Sequence, residues 1–266
     1  MPVNEDLESL SPDIFSGKEA WTTPSGRGWT IHHYAMAGST NDICRSLPAW
    51  YAVRADTQSR GRGRFGRSFV SDPGGLWLSA SLPASPPRSL WDGFSLRVGA
   101  SLLEYARSLG LPDVRLRWPN DLLCADRKLA GLLIEHPSTG VIVVGIGLNI
   151  TNQPWIEAPE LISSTTSLAA QMTSPPSIME VMQGILEAIT KGHQQMIDGG
   201  MATAINELNE SWTKSRPVKL TLSDSRVISG SFIGLDSMGH LRIQDASGNE
   251  IVIEHYLVQR LRELAT

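Results

Sequence analysis

Nine consecutive residues, Val141-Ile-Val-Val-Gly-Ile-Gly-Leu-Asn149, carry no charge and end on their one polar side chain. A run this apolar and this short reads as a strand at the centre of a sheet. Lys128-Leu-Ala-Gly-Leu-Leu-Ile-Glu135 reads as its neighbour. Trp29-Thr-Ile-His-His-Tyr34, Tyr51-Ala-Val-Arg-Ala-Asp56, Gly75-Leu-Trp-Leu-Ser-Ala-Ser-Leu82 and Val114-Arg-Leu-Arg-Trp118 supply further strands, the last stopping at Pro119. Leu96, Gly99, Ala100, Leu102, Leu103 and Ala106 recur at helical spacing within 89–109. Gly38-Ser-Thr-Asn-Asp42 predicts a short helix running toward Leu47, with Ser39 or Thr40 as its cap. Two helices fill 176–213.

Residues 1–28 are rich in Ser, Pro, Gly and Thr and read as a loosely attached, flexible tail. Texture changes again at Arg216-Pro217. Short strands follow at Lys219, Val227, His240 and Glu250, with turns at Ser237-Met-Gly239 and Ala246-Ser-Gly-Asn249. That is the pattern of a small all-β barrel. The expected division is a tail over 1–28, a main domain over 29–214 and a C-terminal domain over 215–266.

Composition narrows the function. Hydrophobic residues make up 41% and charged residues 19%, an ordinary globular balance. A net charge of -4 argues against a dedicated nucleic-acid binder, which needs a broad basic face. No apolar run reaches the length of a membrane span, and the polar N-terminus lacks the apolar core of a secretory signal. The two cysteines, Cys44 and Cys124, form neither a disulfide framework nor a metal-type pair, and a reducing cytoplasm is expected. His32-His33 has no companion at metal-ligand spacing, so no metal site is expected.

Against that acidic background stands Gln58-Ser-Arg-Gly-Arg-Gly-Arg-Phe-Gly-Arg67, with arginines at 60, 62, 64 and 67 among three glycines. Arginine forks grip phosphate or carboxylate oxygens in pairs, and glycine lets backbone approach a ligand closely. An anionic ligand, most plausibly a phosphate, suits the loop; a solvated basic loop or an RNA-touching arm suits it equally. Arg117-Trp-Pro-Asn-Asp121 followed by Arg127-Lys-Leu-Ala-Gly131 returns a lysine beside a tight turn. Lys128 there offers a compact charge to an anion, although a lone lysine is more often merely solvated. Gly145-Ile-Gly-Leu-Asn149 is a strand bending at glycines, or a close approach to a ligand with Asn149 facing a purine edge. Neither the phosphate loop GxxxxGK[ST] nor the nucleophile elbow GxSxG occurs.

Taken in order and spacing, these segments resemble the biotin protein ligases. The shared pieces are Ser39-Thr-Asn41, the arginine loop, Gly75-Leu-Trp-Leu-Ser79, Arg117-Trp-Pro-Asn-Asp121, Arg127-Lys-Leu-Ala-Gly131, Gly145-Ile-Gly-Leu-Asn149 and Arg216-Pro-Val-Lys219. The resemblance runs from residue 29 to about 262 and is to the type lacking an N-terminal DNA-binding domain. It implies an α+β fold: a mixed-sheet biotin/lipoate ligase-type catalytic domain with a small C-terminal SH3-like β barrel. Biotin would meet Ser39, Thr40, Asn41, Gln58, Gly61, Arg62, Trp77, Lys128 and Gly131. ATP and the adenylate would meet Arg62, Arg64, Arg67, Phe69, Asn120, Lys128 and Asn149. Lys128, Arg62, Arg64 and Asp121 would carry the chemistry, with Asp121 as a candidate general base. Phe69 stands where the family often has a Trp that covers the ligand.

The implied reaction joins biotin to ATP with Mg²⁺, giving biotinyl-5′-AMP, and then transfers biotin to a lysine of a biotin carboxyl carrier domain. No DNA or membrane partner is implied, and a homodimer is left open. The arginine loop would close over the adenylate and exclude water. A lipoate-protein ligase shares this logic and is the nearest alternative. A non-enzymatic RNA- or protein-binding module would leave 118–128 and 145–149 unexplained.

Overall fold

The computed structural model describes residues 13–137, 140–156, 158–212 and 215–264. In chain order these form β1 (Ile14–Thr22), β2 (Gly28–Ala37), α1 (Thr40–Cys44), β3 (Tyr51–Gln58), β4 (Gly75–Pro83), α2 (Phe94–Ser108), β5 (Val114–Arg117), β6 (Asp121–Cys124), β7 (Arg127–Glu135) and β8 (Val141–Asn149). Then come α3 (Leu168–Gln171), α4 (Ile178–Ile197), α5 (Met201–Ser211), β9 (Arg216–Leu222), β10 (Val227–Leu235), β11 (Leu241–Gln244), β12 (Glu250–Ile253) and β13 (Val258–Glu263).

The first eight strands make one sheet in the order β1-β2-β3-β4-β8-β7-β6-β5. β2 and β3 run parallel and the other pairs antiparallel, so the sheet is mixed, as expected. β8 lies between β4 and β7, near the middle, where its apolar run puts it. Its alternate residues Ile142, Val144, Ile146 and Leu148 enter the main core with residues of α2 and α4. Val141 and Val143 face the other way, into a smaller cluster with Cys44 of α1 and Val53 of β3. Two long helices thus cover one face of the sheet. The other face carries α1 and the arginine loop.

The last five strands form a separate antiparallel sheet, β12-β11-β10-β9-β13. It matches the expected C-terminal unit, but no pairing of β12 with β13 closes it into a barrel among the described residues. Residues 213 and 214, where the sequence places the boundary, lie outside the described residues.

One expectation is corrected. Residues 14–22, read as part of a loose tail, form β1, antiparallel to β2. Most of β1 is exposed, and it is held by backbone pairing and by Phe15 packing edge-on against His32 and Tyr34. A strand with no buried face has no hydrophobic alternation to announce it. The rest of the tail, 1–12, lies outside the described residues. Among the described residues no helix is long and apolar enough to cross a membrane.

Candidate active site

The cavity originates in the alternation of β8. On the helix-covered face every position is bulky, whereas on the other face Val141 and Val143 give way to Gly145, Gly147 and Asn149. Space opens where side chains stop. Gly131 of β7 pairs with Gly147 and widens the floor. The resulting cavity holds about 510 Å³ and is walled by α1, the arginine loop, the β5–β6 turn, β7, β8, part of 154–165 and β13.

One end of it is polar and uncharged. Gln58, at the end of β3, accepts from the Thr40 backbone N–H at 2.8 Å and from its hydroxyl at 3.1 Å. Its amide nitrogen donates to Ser71 Oγ at 2.9 Å. Gln58 thereby takes an N–H at the start of α1, and Ser39, the positional cap, makes no side-chain capping bond. Ser79 Oγ donates to Asn41 Oδ1 at 2.6 Å and lies 2.8 Å from Thr40 Oγ1. A Cβ on Gly145, which pairs with Ser79, would stand 2.2 Å from Asn41 Oδ1. The glycine is therefore what admits Asn41.

The other end is cationic. Lys128 Nζ and Arg117 Nη2 each lie 2.7 Å from Asp121. Burial opposes ionisation of this carboxyl, but Lys128 and Arg117 outweigh it and bring it down to about 2. A β-bulge places the lysine: β6 and β7 slip register between Leu122 and Leu123, so Leu123 faces Lys128 where Leu122 faced Ala130. The extra residue, Leu129, is buried, and Lys128 turns toward Gly131, whose Cβ position lies 3.0 Å from Nζ. The Lys128 backbone also straps down 164–166, accepting from Thr166 N and donating to Ser164 O, each at 2.8 Å.

Phe69 lies between the two ends. Its ring rests on Gly147, where a Cβ would stand 2.6 Å away, and meets Lys128 Nζ 5.3 Å from the centroid. In the arginine loop, Arg62 is held by Asp42 at 2.6 Å and by Glu135 at 3.1 Å. Arg64 reaches the second sheet and donates to His255 O at 2.7 Å. Burial and then the nearby Arg67 lower its guanidinium to about 10, still cationic at neutral pH.

Most residues singled out from sequence meet here: Ser39, Thr40, Asn41, Gln58, Arg62, Arg64, Arg67, Phe69, Asn120, Asp121, Lys128, Gly131 and Asn149 all line the one cavity. Two do not. Trp77 is fully buried, donates to Asp72 O at 3.0 Å and meets Phe69 edge-on with ring centroids 5.8 Å apart. It supports the Phe69 ring and is not part of the wall. A Cβ on Gly61 would sit 2.4 Å from Phe69 O, so that glycine serves the crossing of the loop's two limbs. Asn149 is on the wall, but its amide donates to Thr166 O and accepts from Asn152, each at 2.9 Å, leaving one N–H and one lone pair. Asn120 likewise donates to Leu132 O at 2.8 Å.

Sequence reasoning missed Ser71 and Glu135 as participants, held Ser79 and Arg117 only as parts of shared segments with no role of their own, and missed all of 258–264 as a wall. A charged residue closing an apolar strand, Glu135, was the one signal available. β13 offers none, because its wall position, Arg260 and Arg262 included, comes from docking of the second sheet.

Comparison with known proteins agrees with this geometry. The family model for the biotin/lipoate A/B protein ligase family matches residues 44–150. The bifunctional ligase/repressor BirA of Escherichia coli is 33% identical over 244 residues, covering 82% of this chain and 70% of that protein. The biotin–[acetyl-CoA-carboxylase] ligase of Mycobacterium tuberculosis is 28% identical over 250 residues, covering 90% of this chain and 92% of that one. The biotin protein ligase of Aquifex aeolicus, solved in complex with biotin and ATP, superimposes with a TM-score of 0.77 at 26% identity, covering 88% of this chain and 99% of that one.

Proposed function

This chain belongs to the biotin/lipoate A/B protein ligase family, and from that premise we propose that it is a biotin protein ligase. It activates biotin with ATP and passes it to a lysine of a biotin carrier domain. Residues 29–214 do the chemistry and 215–266 lend the site one wall.

The observation that carries this reading is the two-ended cavity. Its neutral polar end, Ser39, Thr40, Asn41 and Gln58, suits an uncharged ureido ring rich in hydrogen-bonding groups. Its cationic end, Arg64, Arg67, Arg117 and Lys128, suits phosphates. Lys128 stands next to Phe69, between the two, where a carboxylate and an α-phosphate must meet.

In the first step a biotin carboxylate oxygen attacks the α-phosphorus of ATP. The bond to the bridging oxygen breaks and pyrophosphate leaves. Two anions must approach, so the barrier is largely electrostatic, and fixed cations in a partly enclosed site lower it. Lys128, positioned by Asp121, is the cation nearest that junction. Both Asp121 oxygens are engaged, by Lys128 and Arg117, so magnesium is counted as part of the substrate, MgATP. In the second step the carrier's lysine amine attacks the biotinyl carbonyl, the amide forms and AMP leaves. A carboxyl at about 2 is a poor proton acceptor, which favours Asp121 as the residue that aims Lys128 over Asp121 as the base. Phe69 and the arginine loop cover the mixed anhydride against water.

The test is pyrophosphate release from MgATP with biotin or lipoate, followed by addition of a biotin carrier domain. Release with biotin and covalent biotin on the carrier lysine is the expected result. Release with lipoate alone moves the substrate within the family. No release with either acid removes the reading.

A further inference from the structure

Glu135 ends β7 beside α1, and three partners converge on its carboxylate. Asn41 Nδ2 donates to Oε2 at 2.7 Å. Arg62 Nη2 lies 3.1 Å from Oε2 and 3.2 Å from Oε1. Arg45 also donates to Oε1. Asp42 closes the group, taking Arg62 Nη1 at 2.6 Å and lying 3.7 Å from Arg45. Two arginines and two carboxylates from α1 and its C-terminal end, the arginine loop and β7 thus balance in charge. The Glu135 side chain is 19% exposed, so solvent screens it only partly. Burial raises its carboxyl, but bonds from Arg45 and Asn41 and the charge of Arg62 lower it more, so it is ionised at neutral pH.

Asn41 belongs to the neutral end of the cavity and Arg62 to the loop that covers it. Apart from Glu135, the amide of Asn41 is fixed by Ser79, and the guanidinium of Arg62 by Asp42. We infer that Glu135 is a positioning residue that couples biotin recognition to closure of the arginine loop. This rests on the biotin-ligase reading above. When the loop opens, Glu135 loses Arg62 and its hold on Asn41 loosens. When a ligand fixes Asn41, the carboxylate is held where Arg62 must return. Such coupling is reciprocal: a closed loop strengthens biotin binding by the factor by which biotin favours the closed loop. A glutamine at 135 keeps the volume but loses the charge and one acceptor oxygen, so it cannot serve all three donors.

The experiment uses the full chain and the variants Glu135→Gln, Glu135→Asp and Asp42→Asn, each checked for wild-type circular dichroism. The first readout is the rate of tryptic cleavage within 62–67, with and without biotin. The second is the biotin KM and kcat of pyrophosphate release. Glu135→Gln is expected to cleave about tenfold faster without ligand, to lose most of biotin's protection, and to raise KM about tenfold while kcat changes less than about twofold. Glu135→Asp recovers part of both. Asp42→Asn, which leaves the bond between Asn41 and Glu135 in place, speeds cleavage but keeps biotin's protective effect. Wild-type cleavage in ligand-free Glu135→Gln overturns the inference, as does a fall in kcat at unchanged KM. Failure of the functional reading looks different: the wild-type chain itself then turns over no biotin.

Discussion

Lys128 and Asp121 show how a single pair fixes the character of the site. The 2.7 Å contact gives the lysine one direction, and the two cations around Asp121 hold its carboxyl near 2 against 3.8 for a free side chain. The folded value is the lower one, so this group's stabilising contribution is complete above about pH 4 and disappears as pH falls through 2. Its size is on the order of 2 kcal/mol. Asp121→Asn is expected to flatten the acid limb of the stability curve between pH 4 and 2, measured by urea denaturation at a series of pH values. An unchanged acid limb refutes the ion pair as its source. Lys128→Ala removes the cation at the junction of the two substrates and should lower biotin-dependent pyrophosphate release by about 100-fold or more, measured at a temperature where the variant remains folded. Retention of a rate within tenfold of wild type excludes Lys128 from the first step.

β8 does two jobs with one alternation. Its helix-facing residues are core, and its site-facing glycines leave space that Asn41 and Phe69 fill. Gly145→Ala places a methyl 2.2 Å from Asn41 Oδ1 and must push that side chain out of its bonds to Ser79 and Glu135. The expected result is a biotin KM raised about tenfold or more with a loss of about 1–3 kcal/mol in stability. Isothermal titration with biotin and thermal melts measure the two effects separately. The aromatic lid is a second element-scale case. Phe69 lies on Gly147 and is backed by Trp77, so Phe69→Ala opens a path for water. It should shorten the lifetime of the bound adenylate, followed as biotin released without carrier, more than it slows adenylate formation.

At the scale of the molecule, the two sheets are joined at the cavity and below it. Arg64 donates to His255 O and Trp118 Nε1 to Gly239 O at 3.0 Å, while Trp212, just after α5, bridges the sheets by donating to Leu116 O at 2.8 Å and packing edge-on against Phe232 of β10. Arg115, only 7% exposed, is paired by Glu263 of β13 and by Asp126. With so many buried polar groups shared, the sheets are expected to melt in one transition. Glu263→Ala leaves the buried guanidinium with Asp126 alone and should cost about 1–3 kcal/mol. It should also raise the KM for ATP, because β13 forms part of the wall. A separate early transition for the second sheet, with ATP binding untouched, contradicts this.

The chain's local chemistry was legible without a structure. The central strand follows from an uninterrupted apolar run, the long helices from their period, and the local concentration of positive charge from arginines set among glycines. These depend on residues close in sequence, and neighbour spacing records them directly. Tertiary structure decided the rest. Asn41, Glu135 and Arg62 meet only because α1, β7 and the loop converge on one face of the sheet. Lys128 faces the cavity because a bulge buries Leu129, and no spacing rule reveals a register slip between two strands. β1 and β13 are strands with little buried surface, held by pairing and docking, so hydrophobic alternation gives no sign of them. Trp77, placed among the biotin contacts, is fully buried, meets Phe69 edge-on and is not among the residues that line the cavity. Sequence carries the kinds of group a site can use, whereas which of them touch is set by contacts between segments far apart in the chain.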